Sequence, residues 1–387
     1  MVAVDARAGG GRMIAAEQGA LVEVEITGSD APGVMDGLRL YRAQTGSAAP
    51  DETLRGDWLR WIQGAPSARG ACAIARDGER VVGFYALLPT EMYLGGSPVP
   101  GAKGEFYAVD PGYRRARAAE GGMPVPFALV ALLKRRAPEL GIQASFGKTT
   151  KGAFVTMATG ARPVEFEHVD YLSLFRPAGL GRGRGAALRE LGAVAATTLL
   201  RGAGAARGAL EGAAGAVRQV DAFAPGDVRD AGGRNHLVNP AARALDLRFP
   251  ADRYAKYVVE GADGRPAHFV FSRPRAGGMA QLMDWATLRV PPAVLRALLR
   301  RVARDCRRAG AAALHLPIPA AEDDPALGLA GAGFLRARRG KSVVYVTCAT
   351  PELARARDEG PWRFTNAHAS YYDDGGAAPR ADEEGAA

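Results

Sequence analysis

A chain of 387 residues exceeds one domain of ordinary size and suits two with tails; nearly half its residues are hydrophobic, much of that share alanine, so it can bury cores. The formal charge of +9 invites a nucleic-acid or acidic-membrane partner, but only six basic residues are lysine, arginine is spread along the whole chain, and aromatics able to stack on bases are few. No uninterrupted apolar run reaches the roughly 18 residues of a membrane-spanning helix, and the first residues lack a signal-peptide core, so the expected location is the cytoplasm.

In chain order, residues 1–20 are rich in Gly, Ala and charge without apolar periodicity and are expected to be flexible. Residues 21–26 alternate as a strand, followed by helical material around residues 34–41 and 58–61. Residues 71–75 and 81–88 flank Asp77-Gly78 as a hairpin. A short run through Phe106, Ala108 and Val109 reads as a strand stopped by Asp110-Pro111-Gly112. Beyond it lie Arg114, Arg115 and Arg117. A helix starting by Pro124 or Pro126 then carries Phe127, Leu129, Val130, Leu132 and Leu133 on one side, with Lys134, Arg135 and Arg136 at its C-terminal end. A strand, an arginine-rich turn and an apolar helix in succession can build an anion site, because the first N–H groups of a helix have no partner within it. A phosphate-bearing ligand is expected there. Residues 141–147 read as another strand, a short helix runs to Thr159 with Gly160 as terminator, and residues 171–175 form a strand closed by Arg176-Pro177.

The segment Val-Asp-Pro-Gly-Tyr-Arg-Arg-Ala-Arg-Ala-Ala at residues 109–119 resembles the fourth strand and pyrophosphate loop of the GNAT superfamily of N-acetyltransferases, whose pattern there is Arg/Gln-x-x-Gly-x-Gly/Ala. Arg114 takes the first position and Ala119 the last; Arg117 stands where the family has its first glycine, and residues 120–124 look like a small insertion. The flanking order, a hairpin before and a strand, a helix and a Gly-containing turn after, is also that of the family. Aligning on Gly160 puts Thr149, Gly152 and Thr156 where the family carries Asn, Ala and its acid Tyr. The resemblance implies acetyl-CoA or another acyl-CoA as co-substrate. It would be bound by Ala108 and Val109 through their backbone and by Arg114, Arg115, Ala116, Arg117, Ala118 and Ala119. It also implies a general base at Glu105, four residues before Val109. The plainer role for Glu105 is a strand carboxylate paired with one of the many arginines. Loss of the Tyr at Thr156 is tolerable, since a thiol of pKa near about 8.5 leaves readily as thiolate. Tyr107 and Tyr113 are nearby, with Tyr113 expected to pack beside the loop and Asp110 to serve the turn.

Residues 178–216 read as a helical connector whose Leu188, Leu191, Val194 and Leu199 form one stripe, expected to pack between domains; a membrane-surface role is the lesser expectation. The second half repeats the order of the first, with a hairpin around Asp263-Gly264, a strand at residues 281–285, a helix at residues 293–308 with an apolar face, a strand at residues 312–316 and a turn at Gly333-Phe334. It has no Arg-x-x-Gly-x-Gly, only residues 286–292 with a proline pair, so coenzyme A is not expected there. Asp284 sits on the matching strand as a paired structural carboxylate or as a group facing a shared cleft. The fold class expected is α/β (α+β): two tandem GNAT-like domains, residues 21–177 and 217–373, each a twisted mixed sheet flanked by helices, with residues 374–387 as a flexible tail.

Cys72, Cys306 and Cys348 are odd in number and far apart, which favours buried free thiols, and the five histidines show no ligand spacing, so no metal is expected. Phe146-Gly147-Lys148-Thr149 is similar to the end of a phosphate-binding Gly-x-x-x-x-Gly-Lys-Ser/Thr loop, but Gly141 lies one residue too far away. Trp58, Trp61, Trp285 and Trp362 are assigned to packing, and the segment around Trp362 to folding back over a domain. The function expected is an acyl-CoA-dependent N-acyltransferase, acetyl foremost, acting on a small primary amine. The alternatives are a non-catalytic tandem GNAT-like binding or scaffold protein and a Fem-type aminoacyl transferase, which is built from two GNAT-like folds and takes its acyl group from charged tRNA.

Overall fold

The computed structural model describes residues 21–46, 50–62, 70–147, 153–177, 186–208, 217–228, 235–236, 242–274, 277–360, 362–363 and 365. The expected flexible termini, Lys148, Thr149, Lys151 and Gly152, and the side chain of Leu188 lie outside the described residues. The first half runs β1 (Leu21–Gly28), α1 (Val34–Thr45), α2 (Asp51–Ile62), β2 (Ala71–Asp77), β3 (Arg80–Leu94), β4 (Ser97–Val109), β5 (Arg117–Ala118), α3 (Val125–Arg136), β6 (Ala144–Gly147), α4 (Ala153–Ala158) and β7 (Arg162–Leu174). There follow α5 (Ala186–Gly208), β8 (Val217–Val220), β9 (Asn235–His236), α6 (Ala242–Arg248), β10 (Tyr254–Glu260), β11 (Pro266–Ser272), β12 (Met279–Trp285), α7 (Pro292–Arg308), β13 (Ala313–Pro319), β14 (Leu335–Cys348), α8 (Pro351–Glu359) and β15 (Trp362–Arg363).

One mixed sheet joins both halves, in the order β5-β1-β2-β3-β4-β6-β14-β7-β13-β12-β11-β10-β8. Within each half three antiparallel strands form a meander, β2-β3-β4 and β10-β11-β12, and a parallel partner follows after a helix: β6 beside β4, β13 beside β12. A parallel neighbour needs such a crossover, which α3 and α7 supply. The halves then exchange their last strands. β14, from the end of the chain, lies between β6 and β7, and β7 pairs with β13 of the second half.

Periodicity explains which faces are covered. α3 buries Val125, Leu129 and Leu133 against Val22, Ala73, Ala75, Leu87 and Val109, while on the opposite face Val34 and Leu38 of α1 and Trp58 and Trp61 of α2 pack on Phe84, Leu88 and Phe106. α7 repeats the arrangement with Leu295, Leu298, Leu299 and Val302 over Phe269, Phe271, Leu282 and Trp285. Cys72 and Cys306 are buried thiols, and burial pushes the Cys306 thiol up to about 12. The connector helix α5 packs between the halves as expected, against β7 of the first and α7 of the second, but not through the expected stripe. Leu191 and Leu199 of α5 are 52% and 74% exposed, and the helix is held instead by polar groups. The Thr197 hydroxyl donates to Leu174 O at 2.8 Å, and Arg201 donates to Ser173 Oγ and Leu174 O with its guanidinium over the Phe175 ring.

Where the strands cross over, one buried carboxylate ties three of them. Asp170 on β7 accepts from His315 Nε2 on β13 at 2.8 Å and from Arg338 Nε on β14 at 3.0 Å, with His168 Nε2 at 3.6 Å. Burial opposes its ionisation, but the His315 and Arg338 hydrogen bonds and the His168 charge outweigh that and hold Asp170 below the ordinary carboxylate value. A carboxylate with a depressed folded pKa contributes stability above its unfolded pKa of about 3.9 and loses it as pH falls through the folded value. Asp170→Asn is therefore expected to lower unfolding free energy at pH 7 by about 1.5–3 kcal/mol. The gap between variant and wild type should close below about pH 4; urea titrations at pH 7 and pH 3 check both.

Candidate functional site

β4 opens a gap in the middle of the sheet. It pairs with β6 only at Gly101↔Ala144, Ala102↔Ser145 and Lys103↔Phe146, and beyond Lys103 no further register with β6 exists. On its other side β4 stays paired to β3, but with a bulge: Ala86 faces Glu105 and Phe84 faces Ala108, so Phe106 and Tyr107 together oppose Tyr85. Phe106 has φ 58, the only positive φ at a non-glycine residue among those described. A left-handed residue with a Cβ costs about 1–2 kcal/mol, and packing opposes that cost. The Phe106 ring is buried edge-on to Tyr41 at 5.2 Å and against Trp61 at 5.3 Å and Trp58 at 5.9 Å.

The bulge fixes what faces the gap. Asp110 N–H donates to Val82 O on β3, and since alternate amides of an antiparallel strand point the same way, the Ala108 N–H also faces β3 while that of Val109 is turned outward. The Val109 carbonyl accepts from Gln44 Nε2 of α1 at 2.7 Å. Glu105 is paired with Lys103, whose Nζ donates to Glu105 Oε1 at 3.2 Å; the side chains are 2% and 10% exposed. On the α3 face, Tyr85 and Tyr107 meet edge to face at 6.0 Å. Gly104 is what lets Tyr85 in, since a Cβ there would lie 2.2 Å from the Tyr85 hydroxyl oxygen. Burial, then the charge of Glu105, push the Tyr85 phenol well above its usual range, so it stays protonated. Tyr107 is pushed up to about 12 by burial, partly offset by Arg114, and its hydroxyl donates to Pro126 O. Sequence reasoning missed Tyr85; the available signal was a glycine inside a strand, Gly104, which marks a close approach.

The loop after β4 differs from the expectation in one respect. Pro111–Tyr113 is a 3-10 turn capped by Asp110, which also pairs with Arg80, and the buried Tyr113 donates its hydroxyl to Asp77 Oδ2 at 2.5 Å. Arg114 and Arg115 are exposed beyond it. Arg117 and Ala118, however, form β5 beside β1, and the 120–124 insertion folds into a turn on which Arg117 closes by donating to Gly122 O at 2.6 Å. The amides of Ala116, Ala118 and Ala119 donate to Tyr113, Met123 and Val22 carbonyls. At the start of α3, the Val125 amide donates to Ala116 O, Pro126 has none, and Phe127 and Ala128 donate to Pro124 O. The expected row of unpaired N–H groups is thus not available. The exposed cations beside these bonded amides are the side chains of Arg114, Arg115 and Arg117, the last closed on Gly122 O. Thr156 lies half-buried on α4, its carbonyl 3.4 Å from Lys134 Nζ, whose pKa burial lowers to about 8.

The second half has the same bulge and divergence but a different filling. β12 leaves β13 after Gln281↔His315, and Met283 is its extra residue opposite β11. There Asp284 Oδ2 is 3.3 Å from His268 Nε2, Trp285 Nε1 donates to Glu322 at 3.1 Å, and Arg363 of β15 donates to Trp285 O and lies over its ring. Asp284 is thus the paired carboxylate of the two expectations. Among the described residues no group of three or more His, Cys, Asp or Glu is arranged to hold a metal ion, and no helix is long and apolar enough to cross a membrane.

No protein-family model and no curated protein match the chain. Among solved structures it is similar to a GCN5-related N-acetyltransferase from Anabaena variabilis, at 12% identity over 86% of this chain and 74% of that one with a TM-score of 0.49. It is also similar to N-myristoyltransferase from Saccharomyces cerevisiae with bound myristoyl-CoA and inhibitors, at 12% identity, 84% and 80% coverage and a TM-score of 0.49. A third is Eis1 from Mycobacterium abscessus, at 15% identity, 86% and 75% coverage and a TM-score of 0.46. At such identities and scores the likeness carries neither an activity nor a substrate to this chain.

The bulge makes an unusual stability ranking. Phe106→Ala is expected to cost about 3–5 kcal/mol, as for other buried phenylalanines. Phe106→Gly should cost less than Phe106→Ala by about 1 kcal/mol, the reverse of the usual order within a strand, because glycine accepts φ 58 without a Cβ clash. Chemical denaturation of the two variants gives the ranking.

Proposed function

We propose that this protein is an acyl-CoA-dependent N-acyltransferase, with acetyl-CoA the first donor to test and a small primary amine as acceptor. The observation that carries this is the strained bulge at Phe106 coinciding with the end of β4–β6 pairing, which leaves an outward backbone amide at Val109 and a carboxylate at Glu105 on one diverging strand. The Val109 N–H polarises the thioester carbonyl and Glu105, directly or through water, takes the proton from the attacking amine. A C–N bond forms, the C–S bond breaks, and the thiolate leaves with a proton supplied by the Tyr85 hydroxyl or by water. Arg114 and Arg115 meet the phosphates of the donor through charge-assisted hydrogen bonds. The acyl chain length is open, and longer acyl-CoAs belong in the same assay.

A second reading, a non-catalytic GNAT-like binding module, is favoured by one specific feature: the loop amides of Ala116, Ala118 and Ala119 are already bonded within the protein. Thiol release from acetyl-CoA and longer acyl-CoAs in the presence of an amine panel separates the two. Turnover is expected, with kcat lowered about 10²–10⁴-fold in Glu105→Gln and KM for the donor raised about tenfold in Arg114→Ala/Arg115→Ala, a loss of about 1.4 kcal/mol of binding. Absence of both thiol release and saturable coenzyme A binding would leave the non-catalytic reading standing.

A further inference from the structure

The second half contains a recess that the acyl-transfer reading does not use. It has a volume of about 890 Å³ and opens between α7 and the outer strands β8 and β10. Its origin lies in strand length. In the first half the eight residues of β1 cover the matching corner, where Val24 and Ile26 pack on Ala128 and Leu132 of α3. The equivalent edge strand β8 has four residues, so among the described residues the flank of α7 is left uncovered there. The volume is within the about 300–1,000 Å³ range of small-molecule sites.

The lining divides by chemistry. The floor is apolar: Ala255 and Ala297 are partly exposed in it, with Val217, Phe271 and Val302 buried behind them. The rim is cationic: Arg300, Arg304 and Arg308 follow one another at i, i+4 and i+8 along α7, and Arg301 and Arg273 flank them. Like charges four residues apart on a helix repel by about 0.2–0.5 kcal/mol per pair, and among the described residues only one carboxylate, Asp305, lies in the lining. Asp305 is 3.9 Å from Arg308. Arg301 is committed to Val217 O and Gln219 Oε1, and Arg273 to Ala251 O and Tyr254 O. Arg304 makes no hydrogen bond or ion pair among the described residues and is exposed at the mouth. The polar groups of the floor are occupied too, since Ser272 Oγ accepts from Gln281 N–H and the Tyr257 hydroxyl faces Asp305. A floor of this kind has little with which to read a nucleobase or sugar, whereas it suits an aliphatic chain.

We infer that this recess binds a single-chain anionic amphiphile, an alkyl chain over the apolar floor with a phosphate or carboxylate head held by Arg304 and Arg308. The site is independent of the acyl-transfer reading. It is tested on the full chain with dodecyl phosphate, below its micelle-forming concentration, by titration calorimetry. Saturable one-to-one binding is expected, weakened at least fivefold in Arg304→Ala/Arg308→Ala, two exposed positions whose loss leaves the core intact. Ala297→Trp, which fills the floor, should abolish binding with the thermal midpoint unchanged. Should Ala297→Trp fail to fold, dodecyl maltoside and inorganic phosphate still report on the same division, each expected to bind at least tenfold more weakly than dodecyl phosphate. Equal affinity for either of these, less than a fivefold loss in the double arginine variant, or binding to phosphatidylglycerol vesicles without binding of the free amphiphile would overturn the inference.

Discussion

The left-handed conformation of Phe106 governs much of what surrounds it. One extra residue in β4 turns Glu105 and Phe106 to the same face of the sheet, so a carboxylate and a large ring occupy neighbouring positions that a regular strand would send to opposite sides. The ring is fixed by two tryptophans and a tyrosine from α1 and α2, so those helices stabilise a backbone conformation as well as burying area. The same insertion increases local twist and coincides with the departure of β4 from β6. Strain of this kind persists only where surrounding packing over-determines it, and it clusters where a strand must be re-aimed. Gly104 belongs to the same arrangement, because the space it leaves brings the Tyr85 hydroxyl against β4 on the opposite face.

Exchange of the terminal strands makes the gap depend on the whole chain. β6 has only four residues, and its second neighbour is β14, which arrives from almost the other end of the sequence. The wall of the gap away from β4 is therefore supported by residues of the second half. The Asp170 cluster, where β7, β13 and β14 carry one carboxylate between an arginine and two histidines, sits at the join. Arg253 adds a further tie, donating to both oxygens of the buried Asp57 on α2.

The local signals were legible because they are chemical. Asp110-Pro111-Gly112 ended β4 where turn residues must, Pro124 marked the start of α3, and Gly160 terminated the turn after α4 with φ 88. The apolar periodicities of α3 and α7 gave the buried faces, and the ordered succession of strands and helices gave the resemblance of both halves. Three things were hidden. A bulge is a statement about a partner strand, and nothing in Glu-Phe-Tyr-Ala reveals that Tyr85 will oppose two residues. Strand exchange is a property of long-range pairing, so dividing the chain at residue 177 by composition could not reveal that β7 joins the second half. Leu191 and Leu199 of the stripe on α5 obeyed helical spacing yet stayed exposed, while Thr197 and Arg201, polar residues the stripe ignores, found partners in Leu174 and Ser173.

The two diverging strands show why one architecture can be used twice with different results. Both halves carry a bulge opposite the second strand of the hairpin and both lose their parallel partner after it. In the second half the end of β12 is met by the protein's own C-terminal strand: Arg363 satisfies the Trp285 carbonyl, and Asp284 is turned to the fully buried His268. Polar groups that a diverging strand leaves without a sheet partner must find one elsewhere when buried. In the first half Gln44 supplies only the Val109 carbonyl, and Glu105 is met from its own strand by Lys103. Arg117 adds a strand to the sheet edge and ties down the turn at Gly122, and the amides of Ala116, Ala118 and Ala119 are bonded within the fold. On the proposed acyl-transfer reading, donor recognition on this surface would rest on the guanidinium groups of Arg114 and Arg115, a weaker geometric constraint than a ring of backbone amides and one more sensitive to ionic strength.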